Sequence, residues 1–92
     1  MELGVLLSRS GYTANGTPVI AGLFRLHDTH GWNLSACCMA LAQSGAMADW
    51  ESFLDDAAAA GWSYEKARSC ISDAAFLGWG REFQRALMER LN

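Results

Sequence analysis

Glycine is followed directly by tryptophan three times in this chain, at Gly31-Trp32, Gly61-Trp62 and Gly78-Trp79. Each pair closes a stretch whose residues favour a helix. Glycine readily adopts the left-handed conformation that ends a helix, and an apolar residue just after it commonly packs back on the last turn. The pattern therefore predicts short helices that end at glycines and are fastened together by indoles.

Capping residues and apolar periodicity divide the chain into five predicted helices. Thr17 and Pro18 favour the start of the first helix, which we expect to end at Gly31. The other four are expected at residues 34–44, 50–60, 64–77 and 81–91. The predicted N-caps of three of them are Asn33, Asp49 and Ser63. The short links between the helices predict an all-α fold, a compact bundle of about four to five short helices.

Length and turn-forming residues predict the domain organisation. A chain of 92 residues holds one core. Residues 1–16 contain an apolar anchor at Val5, Leu6 and Leu7, followed by a stretch rich in Ser, Gly, Thr and Asn. We therefore predict an N-terminal arm at residues 1–16, which begins as a short strand or a helical turn, and a single helical domain at residues 17–92.

Charge is unevenly distributed along the chain. The formal net charge is −3, and all of it arises in residues 47–92, because residues 1–46 carry two acids and two arginines. An acidic chain with one lysine is poorly suited to phosphate backbones, so we expect no direct binding to nucleic acid. Its acids instead favour a partner protein with a basic surface.

The densest group of acids comprises Asp49, Glu51, Asp55 and Asp56. Glu51 and Asp55 are four residues apart on one predicted helix, where like charges repel each other. Such a group is commonly a solvated face, and the alternative is a patch that faces arginines of a partner. We take these four acids as partner-binding candidates. Two aromatic residues, Tyr12 in the arm and Trp79 between two glycines, join them because interface centres are rich in aromatic side chains.

Two groups of residues are open to a metal-binding or catalytic interpretation. His27 and His30 are three residues apart, and a thiol such as Cys37 could complete a metal site with them. Imidazoles at the end of a helix also interact with its terminal carbonyl groups, without any metal. Cys37, Cys38 and Cys70 are expected to be free thiols, and burial in an apolar helix raises a thiol pKa. With no recognisable catalytic motif, we predict neither an enzyme nor a bound cofactor or metal.

The chain contains no apolar run long enough to span a bilayer, and no charged leader precedes its first apolar residues. We therefore expect a cytoplasmic protein that does not contact membranes. Apolar residues make up 51% of the chain and charged residues only 18%. This balance predicts a generous core together with an apolar face for a partner. Self-association into a homo-oligomer is the alternative use of such a face.

Residues 23–31, which read LFRLHDTHG, are followed by a short apolar helix, by Asp49-Trp50 with Phe53, and by Gly61-Trp62. Over residues 18–91 this arrangement resembles small accessory proteins encoded by temperate bacteriophages. The resemblance implies a protein that acts on host machinery in the bacterial cytoplasm. Several acidic phage proteins, including inhibitors of CRISPR surveillance complexes, cover a basic surface of a host complex. The function implied is stoichiometric inhibition of such a complex, and a self-associating phage assembly protein is the alternative.

Overall fold

Five helices and a three-stranded sheet make up the computed structural model, which describes residues 7–91. In chain order the elements are β1 (Ser8–Tyr12), β2 (Pro18–Ala21), α1 (Leu23–Asp28), α2 (Leu34–Gln43), β3 (Met47–Ala48), α3 (Trp50–Ala59), α4 (Tyr64–Trp79) and α5 (Arg81–Arg90). β1 and β2 form an antiparallel hairpin, and β3 pairs in parallel with β2. The prediction of an all-α fold is therefore wrong, since a small mixed sheet accompanies the helices.

The error arises where the first helix was predicted to begin. Val19 and Ile20 are β-branched, which favours an extended backbone. They pair with β1 on one side and with Met47 and Ala48 of β3 on the other. Gly22, with a φ of 101°, separates this strand from α1, which begins one residue later. Pairing with residues distant in sequence therefore outweighs the local helix signal from threonine and proline.

The segment predicted as an N-terminal arm contributes β1 and the hairpin turn. The turn is closed by a hydrogen bond of 2.8 Å from the Thr13 amide to the Thr17 carbonyl. An irregularity in the register leaves Ser10 without a partner across the hairpin, as a β-bulge. Of the predicted apolar anchor, Val5 and Leu6 lie outside the described residues, and Leu7 packs against the core.

The predicted N-caps of α2, α3 and α4 are confirmed. Their side-chain oxygens accept hydrogen bonds of 3.0 to 3.1 Å from backbone amides three residues later, and the caps are Asn33, Asp49 and Ser63. The predicted bounds of α2 to α5 agree with the structure to within two residues at each end. None of the helices in residues 7–91 combines the length and the apolar character that crossing a membrane requires.

The Gly-Trp pairs differ in what they do. Gly61, with a φ of 89°, ends α3, and the Trp62 amide donates a 3.0 Å hydrogen bond to the Ala57 carbonyl. This is a Schellman motif, in which the residue after the glycine packs back on the helix, as predicted. Trp32, which follows Gly31, is instead exposed.

At the third pair the prediction that Gly78 ends the helix is wrong, because α4 continues through Gly78 to Trp79 and has Gly80 as its C-cap. A Cβ atom added to Gly78 would lie 3.1 Å from the Cβ atom and 3.2 Å from the carbonyl oxygen of Cys38. Glycine at this position therefore allows α2 and α4 to approach closely, a role unrelated to helix termination.

Six aromatic side chains form a continuous row through the core, which we call the aromatic row. Neighbouring ring centroids in it are 5.0 to 6.4 Å apart, and the order is Trp62, Phe24, Phe53, Trp50, Trp79 and Phe83. Most of the contacts are edge to face, a geometry that adds about 0.5–1.5 kcal/mol per pair to the effect of burial. The row connects α1, α3, α4 and α5.

Candidate binding cleft

A cleft of about 570 Å³ lies between the β1–β2 hairpin, the start of α3 and α5. We call it the hairpin cleft. Its chemically distinctive lining residues are Tyr12, Asp49, Trp50, Glu51, Phe83 and Arg90. Three of the six predicted partner-binding residues, Tyr12, Asp49 and Glu51, therefore share one cleft.

Asp49 joins the hairpin to α3. Its Oδ1 atom accepts a 3.0 Å hydrogen bond from the Ser52 amide, and its Oδ2 atom accepts one of 2.7 Å from the Ser10 hydroxyl. Its own amide donates a 2.8 Å hydrogen bond to the Ile20 carbonyl. Because both of its oxygens are engaged within the chain, Asp49 holds the wall of the cleft in place. Glu51 is the exposed carboxylate of that wall.

Tyr12 is the most exposed aromatic side chain of the cleft, at 57%. The guanidinium carbon of Arg9 lies 4.9 Å from the centroid of its ring. This distance is typical of a cation–π contact. The ring therefore offers a surface to which a planar cation already binds within the chain.

Trp50 and α5 complete the cleft. Trp50 is 3% exposed, and its indole Nε1 atom is buried with no hydrogen-bond partner among the described residues. Phe83 and Arg90, seven residues apart on α5, lie about two helical turns from each other on one side of that helix. Trp79, another predicted partner-binding residue, is half-buried and packs between Trp50 and Phe83 in the aromatic row.

The remaining predicted acids lie elsewhere on α3. Asp56 lines a second groove of about 290 Å³ between α1 and α3, together with Arg25 and Asp28. Asp55 is exposed and lines neither cavity. The structure therefore divides the predicted acidic group between two cavities and the open surface.

The thiols lie at or near the interior, as predicted, and are free. Burial raises the pKa of the Cys38 thiol to about 12, and the Cys37 and Cys70 thiols add to the rise. Burial also raises the pKa of Cys37 and of Cys70. The prediction that an apolar helix would raise the thiol pKa is confirmed. A thiol that keeps its proton near neutral pH is a poor nucleophile.

The histidines proposed as metal ligands have separate surroundings. The Nδ1 atom of His27 lies 2.9 Å from the Trp32 carbonyl oxygen, and its ring meets the Trp62 ring edge to face at 6.1 Å. His30 is exposed. Within residues 7–91 there is no group of three or more His, Cys, Asp or Glu side chains arranged to hold a metal ion. His27 therefore links the end of α1 to the residues that follow it.

Comparisons with protein-family models, with curated proteins and with solved structures found no match to this chain. The chemistry of the cleft is thus the basis for assigning a function.

Ser10 and Arg90 are cleft residues that the sequence did not suggest. Asn15-Gly16 was the available signal for the hairpin, because this dipeptide is common in the turns between antiparallel strands. A hairpin predicted at that turn would have placed Ser10 in its first strand. Arg90 carries no comparable signal, since its position depends on how α5 packs.

Proposed function

We propose that this protein is a non-enzymatic protein-binding module whose partner occupies the hairpin cleft and contacts the acids of α3. The observation that carries the proposal is that Tyr12 and Glu51, which are far apart in sequence, line one cleft. Its volume of about 570 Å³ lies within the range of roughly 300–1,000 Å³ that is typical of ligand sites.

The charge on α3 supports a partner with a basic surface. This helix and its N-cap carry four acids and no lysine or arginine, and the acids are Asp49, Glu51, Asp55 and Asp56. A helix whose charges are all negative accelerates association with a basic surface and disfavours binding of acidic competitors.

The more specific form of the proposal follows from the phage resemblance. In this form the protein is encoded by a bacteriophage and blocks a host protein complex in the bacterial cytoplasm, such as a CRISPR surveillance complex. Blocking is stoichiometric, because a bound domain covers the basic surface that the complex needs.

Affinity capture from a bacterial host lysate, followed by mass spectrometry, would identify the partner. Binding of the purified partner is then compared between the wild type and the double variant Asp55→Lys with Asp56→Lys. We expect weaker binding and slower association in the variant, and slower wild-type association as ionic strength rises.

The matched control changes the net charge by the same amount on α4, through Glu65→Lys with Asp73→Lys, both at exposed positions. We expect a smaller effect from this control. Equal losses in the two folded double variants would indicate a response to net charge alone, and unchanged affinity in both would remove the acidic surface from the proposal.

A second candidate function is self-association as an assembly protein. Phe76 and Leu77 are adjacent on α4 and exposed, and Met39 of α2 is also exposed. Apolar side chains of this size are commonly covered in oligomers. Sedimentation over a range of concentrations tests this function, since an oligomer that forms without any partner supports it and a monomer at all concentrations contradicts it.

A further inference from the structure

We propose that the hairpin cleft binds a peptide segment of the partner through one arginine side chain, whose guanidinium lies against the Glu51 carboxylate and the Tyr12 ring. This inference deepens the proposed function. It rests on that function for the statement that the partner is a protein. Binding of the peptide itself can be measured with no partner identified.

The carboxylates of the cleft differ in what they can offer a ligand. Asp49 accepts hydrogen bonds from Ser10 and Ser52, so its two oxygens already have donors. Glu51, two residues later, is exposed on the same wall. A guanidinium presents paired N–H donors in one plane, and this geometry matches the two oxygens of a carboxylate. Glu51 is therefore the group that recognises the cation.

Tyr12 favours a guanidinium over an ammonium group. Its ring already packs against a guanidinium, that of Arg9, at 4.9 Å. The ring also lines the cleft, where the guanidinium of the peptide lies against it in the proposed complex. Lysine carries a compact and strongly hydrated charge that cannot stack in this way.

Two residues that line the cleft favour a peptide over a free cation as its ligand. Arg90 lines the cleft and has only donors to offer. The indole Nε1 atom of Trp50, another lining residue, is buried, and no acceptor for it lies among residues 7–91. A free guanidinium would bring only further donors, whereas a peptide brings carbonyl oxygens along with its arginine. The cleft volume also exceeds what one side chain fills.

The experiment titrates the full chain, labelled with ¹⁵N, with the blocked tripeptide acetyl-Gly-Arg-Gly-amide. The four indole N–H signals are assigned with single Trp→Phe variants. We expect the signal of Trp50 to shift with peptide concentration while that of Trp32, which does not line the cleft, stays in place. The same peptide with citrulline, which has the shape of arginine without its charge, should give little or no shift. Free arginine should bind more weakly than the tripeptide.

Two isosteric variants test the carboxylate. We expect Glu51→Gln to weaken binding of the tripeptide about fivefold, the upper range for one partly solvated charge pair. Glu65→Gln is the matched control, because Glu65 is also an exposed acid in the first turn of its helix, two residues after the N-cap, and lies outside the cleft. Its affinity for the tripeptide should match that of the wild type.

The inference is overturned if the Trp50 signal does not respond to the arginine tripeptide, if the citrulline peptide binds equally well, or if the two glutamine variants lose affinity equally. Its failure differs from that of the proposed function. A purified partner that binds at the cleft without an arginine overturns the inference alone. Specific binding of the arginine tripeptide, in a protein that captures no partner, supports the inference and removes the proposed function.

Discussion

The contact between α2 and α4 and the aromatic row fill the interior in opposite ways. At the first, Gly78 lies so close to Cys38 that a single added carbon would be 3.1 Å from its neighbour. In the second, six large rings meet at centroid distances of 5.0 to 6.4 Å. One region depends on the absence of a side chain and the other on the size of its side chains.

The two regions therefore tolerate opposite changes. An interior packed as densely as a crystal cannot absorb an added methyl group where backbones already touch. Where large rings fill the space, removing one leaves a cavity that the surroundings close only in part. The aromatic row also reaches the hairpin cleft, because Trp50 and Phe83 belong to both. Changes in the row are therefore expected to alter the cleft, and changes at the α2–α4 contact are not.

The largest expected effect is that of truncating the centre of the aromatic row. Phe53 is 1% exposed and contacts the rings of Phe24 and Trp50. Phe53→Ala should lower the free energy of unfolding by about 3–5 kcal/mol, measured by urea denaturation. Phe76→Ala is the control, because the Phe76 side chain is 41% exposed on α4, and it should cost less than about 1 kcal/mol. Similar losses at both positions would mean that the row is no more important than the surface.

The next largest effect is that of removing the Asp49 side chain, which supports the part of the aromatic row that borders the hairpin cleft. Asp49 caps α3 just before Trp50 and accepts a hydrogen bond from Ser10 of the hairpin. Asp49→Ala should cost about 2 kcal/mol, because it removes a cap and a long-range hydrogen bond. Asn33→Ala removes only a cap and should cost about 1 kcal/mol. A thermodynamic cycle with Ser10→Ala isolates the long-range hydrogen bond, and zero coupling would show that it does not stabilise the hairpin.

A smaller loss is expected from adding one carbon at the α2–α4 contact. Gly78→Ala should destabilise the protein by about 1 kcal/mol, because overpacking against the Cys38 backbone exceeds the gain in helix propensity. Gly11→Ala is the control, since no atom of the described residues, its chain neighbours aside, lies within 4 Å of its added Cβ and its φ is not positive. We expect no loss of stability there. A Gly78→Ala variant that is more stable than the wild type would mean that α2 and α4 move apart at little energetic cost.

The smallest effect is a pH dependence that belongs to the α2–α4 contact. The pKa of the Cys38 thiol is raised in the folded protein from 9.0 to about 12. Between these values the unfolded chain has lost the proton that the folded protein keeps. The contribution of the Cys38 thiol to the free energy of unfolding is therefore fully present below pH 9 and is lost as pH rises towards 12. From pH 7.5 to 9.5 the free energy of unfolding of the wild type should fall by up to about 1 kcal/mol more than that of Cys38→Ala. Equal losses in the two proteins would place the thiol in a solvated environment.

Much of the helical part could be predicted from the sequence, because its signals are local. Asn33, Asp49 and Ser63 cap the predicted helices, and a cap acts on amides only three residues away. The glycine stop at Gly61 is equally local. Of the candidate site, the sequence predicted Glu51 from the dense group of acids and Tyr12 from the aromatic residues typical of interface centres. The cleft that unites them was not.

The sheet could not be predicted in the same way. Val19 and Ile20 form a strand because Met47 and Ala48 come to lie beside them, and no local pattern records that approach. Gly78 shows the same limit. The Gly78-Trp79 pair predicted a helix end, whereas the glycine is required by the close approach of Cys38 on α2.

Local sequence signals were enough to predict where most helices begin and end, where the acids concentrate and that the thiols are poorly ionised, because these properties depend on neighbours a few residues away or on composition. The folded chain was needed to learn that residues 8–21 form a hairpin, that Asp49 binds Ser10, and that Glu51 and Arg90 line the same cleft. Strand pairing and cleft geometry depend on contacts between segments that are distant in sequence. Such contacts form only when the whole chain has buried its apolar surface.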